Sequence, residues 1–261
     1  MPPEPKLGRV RLVGAGPGAA DLLTVRALRA IEGAQALLYD ALISDEVLAL
    51  SPAHCLKIQT GKRAGRTSMA QSTINRLMLR LARRGLTVVR LKGGDPSIFG
   101  RVGEERAFLQ SHGVEVDVVP GVTAACAAAA QFGFPLTHRG EARRLLISTA
   151  TVASGVMLEE GWLAAADRQT TLALYMGRDQ AGAVAQQLIG HGRAASTPAV
   201  AVENAGSPEA RAIATTLEHL AGDLLAAQPS GPVVLLIGDV AARADLGLAE
   251  PALQQLRRAR R

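Results

Sequence analysis

The chain reads as an α/β protein built from two domains. Strand-like apolar runs alternate with helical patterns along nearly all of its 261 residues. Two of those runs pass straight into glycine-rich turns. Val10-Arg11-Leu12-Val13 leads into Gly14-Ala15-Gly16-Pro17-Gly18, and Val88-Val89-Arg90-Leu91-Lys92 leads into Gly93-Gly94-Asp95-Pro96. Such a turn at the carboxyl end of a strand leaves N–H groups bare and lets a ligand approach the main chain. Two of them point to a ligand site assembled from several strand ends.

In the first half, strands are expected at 9–13, 36–39, 87–92 and 114–119. In the second half they are expected at 144–148, 171–175, 198–202 and 232–237. The clearest helix spans 70–84, where Ile74, Leu77, Met78 and Leu81 fall on one face. Arg83 and Arg84 occupy its last turn and Gly85 reads as its C-cap. The texture changes near Pro135-Leu136-Thr137-His138-Arg139-Gly140, where a new basic strand begins. The domains expected are therefore 1–138 and 139–261.

Composition narrows the function. Apolar residues make up 48% and charged residues 20%, which supports a core and excludes wholesale disorder. Aromatics at 3% argue against a stacking platform for single-stranded nucleic acid. The net charge of +6 fits either a solvated arginine-rich surface or an acidic partner such as a polycarboxylate. Part of it lies in the tail Arg257-Arg258-Ala259-Arg260-Arg261. Cys55 and Cys126 fit no zinc spacing and read as core thiols in a reducing compartment, with no metal implied. The N-terminus lacks an apolar signal region, and the weakly polar stretch 121–134 is too short to span a bilayer. A cytoplasmic protein is expected.

Gly14-x-Gly16-x-x-Ala19 fits a dinucleotide fingerprint, with Asp40 roughly where a ribose-binding acid would follow. A flavin or nicotinamide enzyme is one reading. Against it, the chain has no hydride-transfer constellation, and a pyrophosphate on the first turn does not require the second. Asp95 by itself reads as an Asx-turn residue. The continuation Phe99-Gly100-Arg101-Val102-Gly103-Glu104-Glu105 reads as a poor helix start and a polar pocket.

The run Leu91-Lys92-Gly93-Gly94-Asp95-Pro96-Ser97-Ile98-Phe99-Gly100-Arg101 strongly resembles the uroporphyrinogen-III C-methyltransferase family of tetrapyrrole methylases. So do Gly14 to Gly18, Tyr39-Asp40, Gly61-Lys62-Arg63-Ala64-Gly65, Val119 to Ala125, Pro135 to Arg139, Tyr175-Met176-Gly177 and Val202-Glu203-Asn204. They follow the family's order from residue 9 to about 242. The resemblance implies two αβα-layered domains with S-adenosyl-L-methionine held in the cleft between them. It also implies a homodimer, a tetrapyrrole substrate, and no nucleic-acid or membrane partner. Members methylate two ring carbons of uroporphyrinogen III in succession, giving precorrin-2 for siroheme, cobalamin or heme d1 synthesis and releasing S-adenosyl-L-homocysteine.

By the same resemblance, Pro17, Gly93, Gly94, Asp95, Ile98, Thr123, Ala124, Met176 and Ala205 surround the methyl donor. Asp40 and Lys62 match positions regarded as base and acid. Lys62, with Arg63 and Arg66 close by in sequence, suits carboxylate binding equally well. Arg101 also matches a catalytic position. A guanidinium stays protonated, so Arg101 reads as a clamp on a substrate carboxylate and a stabiliser of developing charge. Glu104 would orient it or meet a pyrrole N–H, and Arg139 would hold a second carboxylate.

The chain departs from the family at Ala41, Thr67, Val102-Gly103, Ser148-Thr149-Ala150 and Ala205. Two further readings therefore stand beside the first: a methylase of a different precorrin, and a tetrapyrrole-binding module with little catalysis. Because the methylase match takes almost the entire given length, no separate oxidase or chelatase domain is expected within it.

Overall fold

The computed structural model describes residues 7–61, 69–150 and 159–247. The chain forms two compact units, Met1–Thr123 and Ala124–Arg261.

The first unit is a parallel sheet of β1 (Val10–Gly14), β2 (Ala36–Tyr39), β3 (Leu56–Gln59), β4 (Val88–Lys92) and β5 (Val116–Val119), in the order β3-β2-β4-β1-β5. Helices α1 (Val25–Glu32), α2 (Asp45–Ala49), α3 (Gln71–Arg83) and α4 (Val102–Ser111) connect the strands. The period-two alternation of each strand divides the core between two faces. Val10, Leu12, Ala36, Leu38 and Val88 pack with Ile74, Met78 and Leu109 on the α3 and α4 side. Val13, Leu37, Val89 and Leu91 pack with Ala27, Ile31 and Val47 on the α1 and α2 side. Such a sheet is buried on both faces, so its central strands are largely apolar, with β4 departing at Arg90 and Lys92.

Local signals set the helix ends. Thr24 caps α1 by accepting from Ala27 N–H at 3.1 Å, and Ser44 caps α2 from Val47 N–H at 3.4 Å. Helix α3 stops at the expected glycine: Gly85 has φ +79° and its N–H donates to Ala82 O at 2.9 Å.

The second unit holds β6 (Arg144–Thr149), β7 (Thr170–Tyr175), β8 (Pro198–Glu203), β9 (Arg211–Thr216) and β10 (Val233–Ile237), ordered β6-β7-β10-β8-β9. Only β6 and β7 pair in parallel; β10 runs antiparallel to β7 and β8, and β8 to β9. Leu172, Leu174, Ala201, Leu235 and Ile237 face α6 (Glu159–Ala166), α7 (Ala181–Gly190) and α8 (Leu220–Ala227). Ala173, Val200, Val202, Val234 and Leu236 face α5 (Ala124–Gln131) and the phenylalanines that follow it, Phe132 and Phe134. The alanine-rich helix thus belongs to the second core, although the change of texture comes later, at 135–140. Small side chains let α5 lie close on the sheet, and its burial decides its allegiance.

Three features depart from expectation. The edge strands β3 and β9 appear where no strand was read, because LKIQ and RAIATT lack the apolar runs of buried strands. Val102 opens α4, so the Arg101–Glu105 stretch is a helix start after all; Glu104 and Glu105 in its first turn complement the helix dipole. Cys55 is buried, as a core thiol should be, and burial raises its pKa. Cys126 is exposed on α5, between the buried Ala125 and Ala127. Among the described residues no helix is long and apolar enough to cross a membrane.

Candidate functional site

In the first unit, β1, β4 and β5 end side by side, and their turns are joined through backbone. Gly94 N–H donates to Gly16 O at 2.7 Å, and Gly16 N–H returns to Gly94 O at 3.3 Å. Ala15 N–H donates to Lys92 O at 2.9 Å. A Cβ on Gly121 would lie 2.3 Å from Gly94 O, and one on Gly14 would lie 2.7 Å from Gly121 Cα. Gly14 and Gly121 are therefore demanded by turn-on-turn contact. Gly93 and Gly94 differ. A Cβ on Gly93 would meet only the Leu42 side chain, at 3.4 Å, and one on Gly94 would reach nothing nearer than 3.9 Å. Gly94 is required by its φ of +69°. These two positions leave main chain open to a ligand.

Both aspartates of this edge bind main chain. Asp95 accepts from Ser97 N–H at 2.8 Å and from Gly121 N–H at 3.0 Å, so it is an Asx-turn residue and also a tie between β4 and β5 ends. Asp40 accepts from Leu42 N–H at 3.1 Å and from Gly93 N–H at 3.3 Å. It thereby joins the end of β2 to the glycine turn. Pro17 follows the Gly16 bridge, Ile98 N–H donates to Asp95 O at 3.2 Å, and Thr123 closes the unit beside Gly94.

Arg101 precedes α4 in the left-handed region, at φ 56° and ψ 24°. Its guanidinium grips Glu104 bidentately, Nε to Oε1 at 2.9 Å and Nη2 to Oε2 at 2.7 Å. Both side chains remain about half exposed. The hydrogen bond from Arg101 lowers the Glu104 carboxyl pKa and raises that of the guanidinium. A left-handed non-glycine residue is uncommon and strained, and here it stands directly before the first turn of α4. Phe99, two residues earlier, shares the conformation at φ 53°.

In the second unit, Met176 follows β7 with φ +53° and is exposed. Tyr175 accepts a hydrogen bond on its hydroxyl from Ala125 N–H at 2.9 Å, tying the β7 end to the start of α5 and so to Ala124. Asn204, at φ +52°, ends β8, and Ala205 behind it is buried. Glu203, just before Asn204, is held firmly: its Oε1 accepts from Ser230 N–H at 2.6 Å and Gly231 N–H at 2.7 Å, while Oε2 pairs with Arg211 at 2.9 Å. Burial pushes the Glu203 carboxyl pKa up, but these donors outweigh it and hold the group below the usual glutamate value. Met176 and Ala205 thus share one edge of the sheet. Arg139 is exposed in the turn before β6, at the opposite edge.

Lys62, with Gly65 and Thr67, lies outside the described residues. Sequence reasoning passed over Arg90, Lys92 and Glu105, which form a buried charged cluster behind the glycine turn. Burial and the neighbouring Arg90 lower the Lys92 ammonium pKa, against the pull of Glu105 and Asp40. The available signal was the alternation Val88, Arg90, Lys92 on one strand face. The dinucleotide reading loses its helix: a short 3-10 turn, Ala20–Leu22, follows the fingerprint, and α1 begins only at Val25. Among the described residues no group of histidines, cysteines and carboxylates is arranged to hold a metal ion.

Residues 9–221 match the family described as Tetrapyrrole (Corrin/Porphyrin) Methylases. A uroporphyrinogen-III C-methyltransferase of Paracoccus denitrificans is 46% identical over 239 residues, covering 92% of this chain and 83% of the relative. The siroheme synthase of Azotobacter vinelandii is 43% identical over 90% of this chain, which spans only 50% of that protein. Among solved structures, the Thermus thermophilus uroporphyrin-III C-methyl transferase complexed with S-adenyl homocysteine superposes with a TM-score of 0.77 at 40% identity, covering 90% of this chain and 99% of its own. A cobalt precorrin-4 methyltransferase superposes at 0.81 with 29% identity, covering 89% and 95%. A family match over most of the chain and relatives above 40% identity along nearly its whole length place it plainly: the chain belongs to the tetrapyrrole methylases.

Proposed function

We propose that this chain is an S-adenosyl-L-methionine-dependent C-methyltransferase acting on uroporphyrinogen III, with two successive transfers giving precorrin-2. The observation that carries this reading is the match along nearly the whole chain to a uroporphyrinogen-III C-methyltransferase. The strand-end geometry supports it. Open main chain at Gly93 and Gly94 is the kind of Cβ-free cradle that a nucleoside-bearing ligand needs.

S-adenosyl-L-methionine, when bound, would supply an electrophilic sulfonium methyl to an electron-rich pyrrole carbon, with S-adenosyl-L-homocysteine as the leaving group and a ring proton lost afterwards. The chain's own residues provide alignment and charge. Pro17, Gly93, Gly94, Asp95, Ile98, Thr123, Ala124, Met176 and Ala205 are the proposed donor contacts. Met176 offers a polarizable apolar wall. Arg101, held by Glu104, binds a substrate carboxylate, and Arg139 a second. Asp40 is the proposed proton acceptor, and Lys62 the proposed acid or carboxylate contact. Because Asp40 already accepts two N–H bonds, its work in proton removal is coupled to the Gly93 turn.

The reading extends to a cytoplasmic homodimer feeding siroheme, cobalamin or heme d1 synthesis. Light scattering of the purified chain tests the dimer. Calorimetry with S-adenosyl-L-homocysteine, followed by methyl transfer to freshly reduced uroporphyrinogen III, tests the activity. Binding together with a dimethylated product is expected. Binding with methylation only of another precorrin would move the substrate, and binding with no transfer to any precorrin would leave a tetrapyrrole-binding module.

A further inference from the structure

Behind the glycine turn lies a charged cluster that the proposed chemistry does not use. Arg90 and Lys92 share a face of β4 with Val88, and Glu105 meets them from α4. Glu105 is fully buried, and the two cations are nearly so. Lys92 Nζ lies 3.1 and 3.0 Å from the two carboxylate oxygens. Arg90 Nε donates to Oε1 at 3.4 Å, and its Nη1 donates to Leu91 O at 3.0 Å. Gln71 Nε2, at the start of α3, donates to the same Oε1 at 3.0 Å.

Desolvating such charges offsets most of their attraction, so the cluster is a poor device for stability alone. Its placement is more telling. Lys92 is the last residue of β4, and Gly93, Gly94 and Asp95 follow directly. Glu105 stands in the first turn of α4, next to Glu104 and one turn from Arg101. Gly100 packs beside the lysine as well: a Cβ there would lie 2.4 Å from Pro96 O and 3.0 Å from Lys92 Cε. One buried ion pair therefore spans from the open glycine turn to the helix start that presents Arg101.

We propose that Lys92 and Glu105 are positioning residues for methyl transfer: their buried ion pair fixes the Gly93–Asp95 turn relative to Arg101, so that methyl donor and substrate carboxylate keep one alignment. The inference rests on the methyltransferase reading above. In-line transfer depends steeply on alignment, and a misplacement of about 1 Å costs about 100-fold in rate.

Two variants separate positioning from stability. Lys92→Met leaves Glu105 buried with a charge partner missing, and it is expected to lower the thermal midpoint. Arg90→Met/Lys92→Met/Glu105→Met removes the charges together and is expected to recover that midpoint. The triple variant should still bind S-adenosyl-L-homocysteine in calorimetry, yet lose about 100-fold in kcat. Its Gly93–Asp95 and Val102–Glu105 amides should exchange hydrogen faster than in the wild type. A triple variant with wild-type midpoint, kcat and exchange would overturn the proposal. If the triple variant does not fold, Lys92→Arg keeps the charge but changes the tether, and wild-type kcat in it overturns the proposal equally. Should the wild type itself transfer no methyl group, the methyltransferase reading fails on its own. Exchange at Gly93–Asp95 then decides the role of the pair, with unchanged protection counting against it.

Discussion

Arg101 and Glu203 show how single side chains divide between chemistry and scaffold. The Arg101–Glu104 pair is half exposed, and such pairs add little stability. Arg101→Ala should therefore leave the thermal midpoint unchanged. Losing a charged hydrogen bond to substrate costs about 1.5–3 kcal/mol, roughly 10- to 150-fold in kcat/KM. Steady-state kinetics beside a melting curve checks both halves, and full activity would remove the proposed clamp. Glu203 is the opposite case, a buried carboxylate holding Ser230 and Gly231 amides. Its folded pKa lies below the ordinary 4.5, so the unfolded chain binds the proton first as pH falls. The stability it contributes is complete above 4.5 and is lost as pH drops through the folded value. Glu203→Gln should flatten that acid limb in pH-dependent denaturation; an unchanged limb would refute the assignment.

Among the elements, glycines that look alike in sequence have different work. Gly121 sits where a Cβ would collide with Gly94 O, whereas Gly103 in α4 has nothing within 4 Å. Gly121→Ala should destabilise by about 1–3 kcal/mol, as overpacked sites do, and weaken S-adenosyl-L-homocysteine binding. Gly103→Ala should stabilise by about 0.5–1 kcal/mol through helix propensity. Denaturant midpoints of the two variants, moving in opposite directions, are the check. The same contrast explains which elements were readable. Buried strands such as β2 and β10 announce themselves as apolar runs, while edge strands β3 and β9 do not. Their pairing partners stabilise them, and those partners lie elsewhere in the chain.

For the whole molecule, the relevant quantity is charge. A net +6 faces a substrate that, on the proposed reading, carries a ring of carboxylates. Raising ionic strength from about 0.01 to 0.1 M shortens the screening length from about 30 to 10 Å. The KM for uroporphyrinogen III should rise across that range, while the dissociation constant for S-adenosyl-L-homocysteine stays nearly constant. A KM insensitive to salt would mean that the positive balance belongs to the solvated surface alone.

Period-two and helical patterns, the glycine turns and the Gly85 stop placed most strands and α3, because those signals are local and each residue carries its share of them. The likeness of ordered motifs to the tetrapyrrole methylases was legible for the same reason. Folding alone decided that α5 joins the second core, that Asp40 and Asp95 clasp main chain from other strands, and that Arg90, Lys92 and Glu105 meet, buried, beside the Gly93–Asp95 turn. Those contacts join residues far apart along the chain, and burial, which sets both their strength and their cost, is a property of the packed structure.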